Sequence, residues 1–308
     1  MSEHPKSPQL PVGTQVVTRE SLTDSAGAVV QRGATGRVSG VSADVYAVRL
    51  ADGREFAARR HQLGLRRSHQ TEIGLGSPSQ ETAHALVRTH TIVACVVGSR
   101  AFGLATDDSD TDVRGVFVAP TPLYWRLVKP PTHVDGPEPE WFSWELERFC
   151  ELALKANPNM LEVLSSPMRV LLTPVGEELI ALRRAFFSQL VYQTFSGYVL
   201  GQFKKIETDV RRDGAPKWKH VMHLLRLLLS GRDLLRTGEL AMDVGDQRER
   251  LLSVRGGGES WESVDAWRLE LHGQLDDALE ATPLPAAPDV QLVDDWLCDV
   301  RSRTAITS

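Results

Sequence analysis

Hydrophobic and polar positions change rhythm twice along the chain, and these changes divide it into three regions. From Val12 to about Leu65 apolar and polar residues alternate in short segments, QVVTRE, GAVVQRG, GRVSGV, VYAVRL and REFAAR, separated by Gly-rich turns. Such alternation predicts half-buried strands, and the Asp52-Gly53 pair predicts a hairpin. A stretch rich in Ser, Gly and Gln follows, SHQTEIGLGSPSQ. Within it Ser77-Pro78-Ser79-Gln80 reads as a helix start, with Ser77 as N-cap and Pro78 in the first turn. A helix through His84 and Val87 then leads into TIVACVV, an apolar β-branched run that predicts a buried strand ending at Gly98. After it come a turn and short helix from Gly98 to Leu104, a polar loop ATDDS, a second strand DTDVRGVFV, a strand EWFSW and a helix ELERFCELALK. Asn157 and Pro158 predict an N-cap and first residue of the next helix, with Glu162 in its early turns. From residue 173 to 308 the period is helical, broken by an extended connector from Thr282 to Asp289 before a last amphipathic helix.

The expected architecture is therefore an α+β multidomain chain. Residues 1–70 form a small β-barrel, which by its texture resembles the SH3-like barrels. Residues 77–172 form a central domain with a mixed sheet, and residues 173–308 a helical bundle. Composition narrows the class without changing this picture. A chain of 308 residues, 42% of them hydrophobic, can bury a core of this size. No run approaches the roughly 20 apolar residues of a membrane helix, and the start MSEHPKSPQL lacks a secretory order, so the expected location is the cytoplasm and no membrane partner is expected. Cys95, Cys150 and Cys298 lie far apart without C-x-x-C spacing and read as packing residues. A net charge of −5 argues against a protein that coats nucleic acid over a large surface. Positive charge is instead local, in Arg54 to Arg67 and Lys204 to His220, as suits an enzyme handling a phosphorylated substrate.

The chemistry concentrates around the second region's first two strands. At the end of one strand Gly98 lets backbone approach a ligand, and Ser99 opens a helix whose free N–H groups can bind phosphate. On the next strand Asp110 and Asp112 are two apart, so their side chains share a face and can share divalent cations. Magnesium, or manganese, commonly takes one or two carboxylates together with substrate phosphates. Arg114 falls on the same face, as a phosphate contact or as the counterion of the acids. Arg100 reads as a surface residue at the helix start. Ser99 lacks the G-x-S-x-G elbow, so no Ser-His-Asp site is indicated.

An apolar strand, Gly-Ser, ten intervening residues and Asp-x-Asp resemble the signature of the DNA polymerase beta nucleotidyltransferase superfamily. GSRAFGLATDDSDTDVRGVFV, WELERFCELALKANPNMLEVL, KHVMHLLRLLLSGRDLL, LLSVRGGG and LPAAPD narrow the resemblance, over roughly Ile92 to Arg301, to the RNA-repair-associated (RlaP-type) family. The resemblance implies a nucleotidyltransferase palm at 77–172 and transfer of a nucleoside monophosphate from a nucleoside triphosphate, such as ATP, to an acceptor hydroxyl, with an RNA end as a candidate acceptor. It also implies a third carboxylate beside Asp110 and Asp112, completing the catalytic and metal-binding set. The family pattern lands it on Glu140, with Asp135, Glu138 and Glu145 as rivals. Glu145 reads equally as the start of the following helix. Thr111 departs from the superfamily, where that position is usually apolar.

In the third region Lys219, His223 and Arg226 recur at i, i+4 and i+7 in a largely apolar helix, and Tyr198, Gln202 and Lys205 repeat the spacing one helix earlier. Unpaired buried cations are costly, so these stripes should face a partner, and a triphosphate would serve. Lys205, Lys219, His223 and Arg226 thus join Gly98, Ser99 and Arg114 as nucleotide-binding candidates. The plainer reading is a solvated helix face. His220 and His223 lack nearby carboxylates and do not read as a metal pair, and Gly256-Gly257-Gly258, with no preceding strand, is not a phosphate loop. The other readings kept open are a catalytically silent nucleotide-binding or antitoxin-like protein, and a transferase acting on a protein or small molecule.

Overall fold

The computed structural model describes residues 10–24, 27–42, 45–50, 52–65, 78–107, 109–213 and 216–306. Its contacts separate two units, residues 1–77 and 78–308. In the first unit the alternating segments form β1 (Gln15–Thr18), β2 (Leu22–Thr23), β3 (Val29–Val30), β4 (Thr35–Ser42), β5 (Val45–Leu50), β6 (Glu55–Arg59) and β7 (Leu63–Leu65). Five of them make an antiparallel sheet in the order β6-β5-β4-β1-β7, and β2 pairs with β3. Register puts Val38, Val48 and Phe56 side by side, and all three are buried, while Arg37, Arg49 and Glu55 form a neighbouring row. Gly53, at φ +87°, turns the predicted hairpin, which Leu50 N–H closes on Arg54 O at 2.8 Å. The expected barrel is corrected to an open sheet. Among the described residues β6 pairs only with β5 and the three-residue β7 only with β1, so the two edges are not joined.

The second unit opens with α1 (Gln80–His90), whose N-cap is Ser79, two residues later than expected; its hydroxyl accepts from Thr82 N–H at 3.2 Å. Ser77 lies outside the described residues. Then come β8 (Thr91–Val96), α2 (Gly98–Ala101), β9 (Val113–Phe117), β10 (His133–Asp135), β11 (Trp141–Glu145), α3 (Leu146–Ala153), α4 (Pro158–Ser165) and β12 (Arg169–Leu172). The sheet order is β10-β11-β9-β8-β12, with β9 and β11 parallel and the other pairs antiparallel. Every residue of β8 is buried, because apolar groups cover both faces of the sheet. Val93 and Cys95 join a large core with α3 and α4, whereas Phe117 and Val134 pack with Val87 of α1.

Six helices follow, α5 (Pro174–Ala181), α6 (Leu190–Asp213), α7 (Trp218–Thr237), α8 (Arg248–Arg255), α9 (Trp261–Glu280) and α10 (Val290–Ile306). Their apolar faces continue the same core from Ile92 to Val300, so the mixed-sheet region and the helical region pack as one body. Cys95 and Cys150 are packing residues as expected, but Cys298 is exposed on α10. Burial pushes the Cys95 thiol up to about 11 and the Cys150 thiol up to about 12. Among the described residues no helix is long and apolar enough to cross a membrane.

Candidate active site

A cavity of about 510 Å3 opens where β8 gives way to α2, and the Asp-bearing segment and α7 line it. Gly98 begins α2 at φ +69°, a conformation that costs an L-residue strain. A Cβ there would stand 2.9 Å from Asp112 Oδ2, so the absence of a side chain lets the turn and the carboxylate meet. Asp110 and Asp112 both face the cavity, in the extended run that leads into β9 rather than on the strand itself. Val97 N–H donates to Asp112 O at 2.9 Å, which ties that run to the end of β8. Arg114 Nη2 donates to Asp112 Oδ1 at 3.1 Å, which makes it the counterion of this acid, with the aspartate side chain 33% exposed. Asp112 Oδ2 and the whole Asp110 carboxylate have no hydrogen-bond or ion-pair partner among the described residues. Arg100, expected only as surface, donates to Ser109 O at 2.7 Å and so tethers the loop just before Asp110.

The third carboxylate is where expectation and geometry part. β11 begins at Trp141, not at Glu140; Glu140 occupies the preceding turn at φ +57°. The parallel register Trp141↔Val113 sets Glu140 level with Asp112 one strand over. Its carbonyl accepts from Val113 N–H at 2.9 Å and from Arg114 Nη1 at 3.2 Å, but its side chain is exposed and does not line the cavity. The rivals are elsewhere. Asp135 is exposed on β10, and Glu138 lies 3.6 Å from Arg88. Glu145 is buried at the end of β11, where it caps α3 through Glu147 N–H and pairs with Arg301 at 2.8 Å. The third acid that does line the cavity is Glu162, on α4.

The predicted stripe on α7 faces the same space: Lys219, His223 and Arg226 all line it. Arg226 is not an unpaired cation, however. Its side chain is 3% exposed and its Nη2 lies 3.0 Å from Glu162 Oε1, with the guanidinium 3.7 Å above the Phe102 ring. Lys217, His220 and Arg255 also line the cavity, and the sequence reading did not single them out for it. Arg255 Nη1 donates to Leu104 O at 3.2 Å and Arg248 Nε to Gly103 O at 2.8 Å, so α8 fixes the exit of α2. Lys205 and Tyr198 are exposed on α6 and do not line the cavity. His220 is held below its ordinary pKa by burial and then by the Lys217 and Lys205 charges. His223 is exposed toward the cavity, and desolvation against the wall, then the nearby Arg226 and His220 charges, hold its pKa below the ordinary value.

Two cavity-facing carboxylates with unpartnered oxygens, a Gly-Ser turn and a wall of cations suit a hard divalent ion with an anionic, phosphate-bearing ligand. Among the described residues no cluster of three or more His, Cys, Asp or Glu is arranged to hold a metal. A profile of the RlaP family, the RNA repair pathway DNA polymerase beta family, matches residues 74–299. The uncharacterized protein YcgL of Bacillus subtilis (strain 168) is 35% identical over 78 residues, 24% of this chain. The chain spans only 30% of the length of that relative. Among solved structures, a nucleotidyltransferase-like protein from Exiguobacterium sibiricum 255-15 aligns with 73% of this chain and 80% of its own, at 14% identity and a TM-score of 0.28.

Proposed function

The protein belongs to the RNA repair pathway DNA polymerase beta family, nucleotidyltransferases of the DNA polymerase beta type, and from that premise we propose that it transfers a nucleoside monophosphate from a nucleoside triphosphate to an acceptor hydroxyl, an RNA end being the candidate acceptor. The acceptor oxygen attacks the α-phosphorus, its bond to the bridging oxygen breaks, and pyrophosphate leaves while the hydroxyl proton passes to a base. The observation that carries this reading is the close approach of Gly98 to Asp112 inside a cavity whose opposite wall is cationic.

Asp110 and Asp112 would hold magnesium or manganese, which when bound supplies Lewis-acid stabilisation of the phosphoryl oxygens. The chain's own residues bind and orient. Gly98 and Ser99 offer backbone N–H groups to the terminal phosphates, and Lys217, Lys219 and Arg255 supply positive charge around them. Arg114 keeps Asp112 turned toward Gly98. Glu140, one strand over from Asp112, remains the proposed acid that orients or deprotonates the acceptor hydroxyl.

The exposure of Glu140, and the commitment of Glu162 to Arg226, favour one second reading: a silent nucleotide-binding or antitoxin-like protein whose cavity lacks a third working acid. Incubation with each labelled triphosphate, magnesium or manganese, and RNA separates the two. Label transferred to RNA, and lost in Asp110→Asn and Asp112→Asn, supports the transferase. Label on a protein or small molecule keeps the chemistry and changes the acceptor, and saturable binding without transfer sinks it.

A further inference from the structure

Glu162 is the one charged residue of the helix PNMLEVLS, and nothing in the reaction described above uses it. Met160, Leu161, Val163 and Leu164 around it are all buried, and its own side chain is 9% exposed. A carboxylate so placed costs several kcal/mol unless paired, and its Oε1 is paired, at 3.0 Å, with Arg226 Nη2. Arg226 is held on a second side by the Phe102 ring at 3.7 Å. Among the described residues its Nη1 is enclosed without a hydrogen-bond partner, so the guanidinium keeps this position at some cost.

The same Nη2 reaches His223 Nδ1 at 3.4 Å, one helical turn back on α7. A guanidinium only donates. The contact is therefore a hydrogen bond only if Nδ1 is unprotonated, which in a neutral imidazole leaves the proton on Nε2. The charges around the ring agree with a neutral state: Arg226 and His220 press from α7, Lys217 and Lys219 stand at its start and Arg255 on α8 lines the same cavity, with Glu162 already paired. Arg226 is buried whereas His223 opens on the cavity, so the chain Glu162, Arg226, His223 runs from the core to the ligand space.

We propose that Glu162 and Arg226 are positioning residues for His223, fixing its imidazole so that Nε2 carries the proton and offers it to a phosphate oxygen of the nucleotide. The ligand half of this statement rests on the reading of the cavity as a nucleotide site; the tautomer half does not. An uncharged donor at this point binds phosphate oxygens without adding another cation to a wall that already holds several.

The test uses the full chain with 15N-labelled histidine, His223 being recognised among nine histidines by its absence in His223→Gln. Long-range 1H–15N spectra of the wild type should show Nε2 protonated and Nδ1 bare. A proton on Nδ1, or a mixture of tautomers, overturns the proposal. In Glu162→Gln the single tautomer should give way to a mixture, and binding of inorganic pyrophosphate with magnesium should weaken roughly tenfold, with Glu162→Asp restoring part of the loss. Glu162→Gln that melts lower but keeps the wild-type tautomer and pyrophosphate affinity makes Glu162 merely structural and also overturns it. Should Glu162→Gln not fold, Glu162→Asp is read by the same two criteria against the wild type. A wild type that holds the expected tautomer and binds pyrophosphate but transfers no nucleotide sinks the proposed activity and supports this pair.

Discussion

Gly98→Ala is the smallest change that reaches the centre of the site. Two costs follow from the geometry. At φ +69° an L-residue occupies the left-handed region, which costs roughly 1–2 kcal/mol, partly offset by the lower entropy of the unfolded alanine chain. The new methyl would also stand 2.9 Å from Asp112 Oδ2. That oxygen ends a rotatable side chain, but Oδ1 is held by Arg114 at 3.1 Å, so relief by rotation gives up an ion pair. Both partners are partly exposed, which limits that loss to about 1 kcal/mol. About 2 kcal/mol in all corresponds to a fall in Tm of roughly 4–8 °C for a body of this size.

Activity should fall much further than stability. Displacing a reacting group by about 1 Å can cost roughly 100-fold, and on the proposed reading Asp112 is the group displaced. Thermal unfolding and nucleotide transfer, measured on the same preparation below the variant's Tm, separate the effects. A variant that keeps wild-type Tm and transfer shows that Gly98 and Asp112 do not meet as described. A variant with the lowered Tm but undiminished transfer removes Asp112 from the chemistry.

Breaking the buried pair on one side should be costly: Glu162→Leu or Arg226→Met alone should lose about 3–5 kcal/mol in urea unfolding, and the double variant much less. Additive losses in that cycle would mean the two groups do not interact. Away from the cavity lining, Arg303 and then Trp296 Nε1 at 2.8 Å hold the Glu178 carboxyl down to about 2. The folded state therefore resists protonation, so the contribution is present above the ordinary value of 4.5 and is lost as pH falls through about 2. Screening of this exposed pair keeps it to about 1 kcal/mol or less. Glu178→Gln should flatten that part of the stability profile, and an unchanged profile would refute the assignment.

Local signals carried most of the palm. The apolar β-branched run became β8 because a strand buried on both faces is nearly continuous in apolar residues, its one polar member Thr91 bonding its hydroxyl to Val87 O, and Asn157-Pro158 became a helix start because the cap accepts from the Asn159 N–H two residues on. The Gly-Ser turn and the two aspartates were legible for the same reason, lying a few residues from strands that fix them. Closure of the first unit was not legible, since five alternating segments read the same whether or not the sheet edges β6 and β7 pair. Nor was the bend at Glu140. Alternation through EWFSW gives no warning that the chain turns through a positive φ just before the strand and takes that side chain out of the cavity.

Glu162 and Arg226 teach the opposite lesson, because each was an anomaly visible in isolation. Arg226 stood in a leucine-rich helix and called for a counterion, and the sequence reading supplied one from outside, a triphosphate. Glu162 stood in NPNMLEVL and was absorbed into helix capping, although an acid in the early turns of a helix needs no explanation only where it can reach solvent. Its side chain is only 9% exposed, at the wall of the cavity. Two unexplained charges of opposite sign in two apolar helices are each the cheapest explanation of the other, since burial penalises either one alone by more than it penalises the pair. The signal lay in matching the two rather than in either helix, and on the proposed reading the triphosphate would meet what the pair leaves over along the cavity: Lys217, Lys219, Arg255 and His223, which lies 3.4 Å from Arg226.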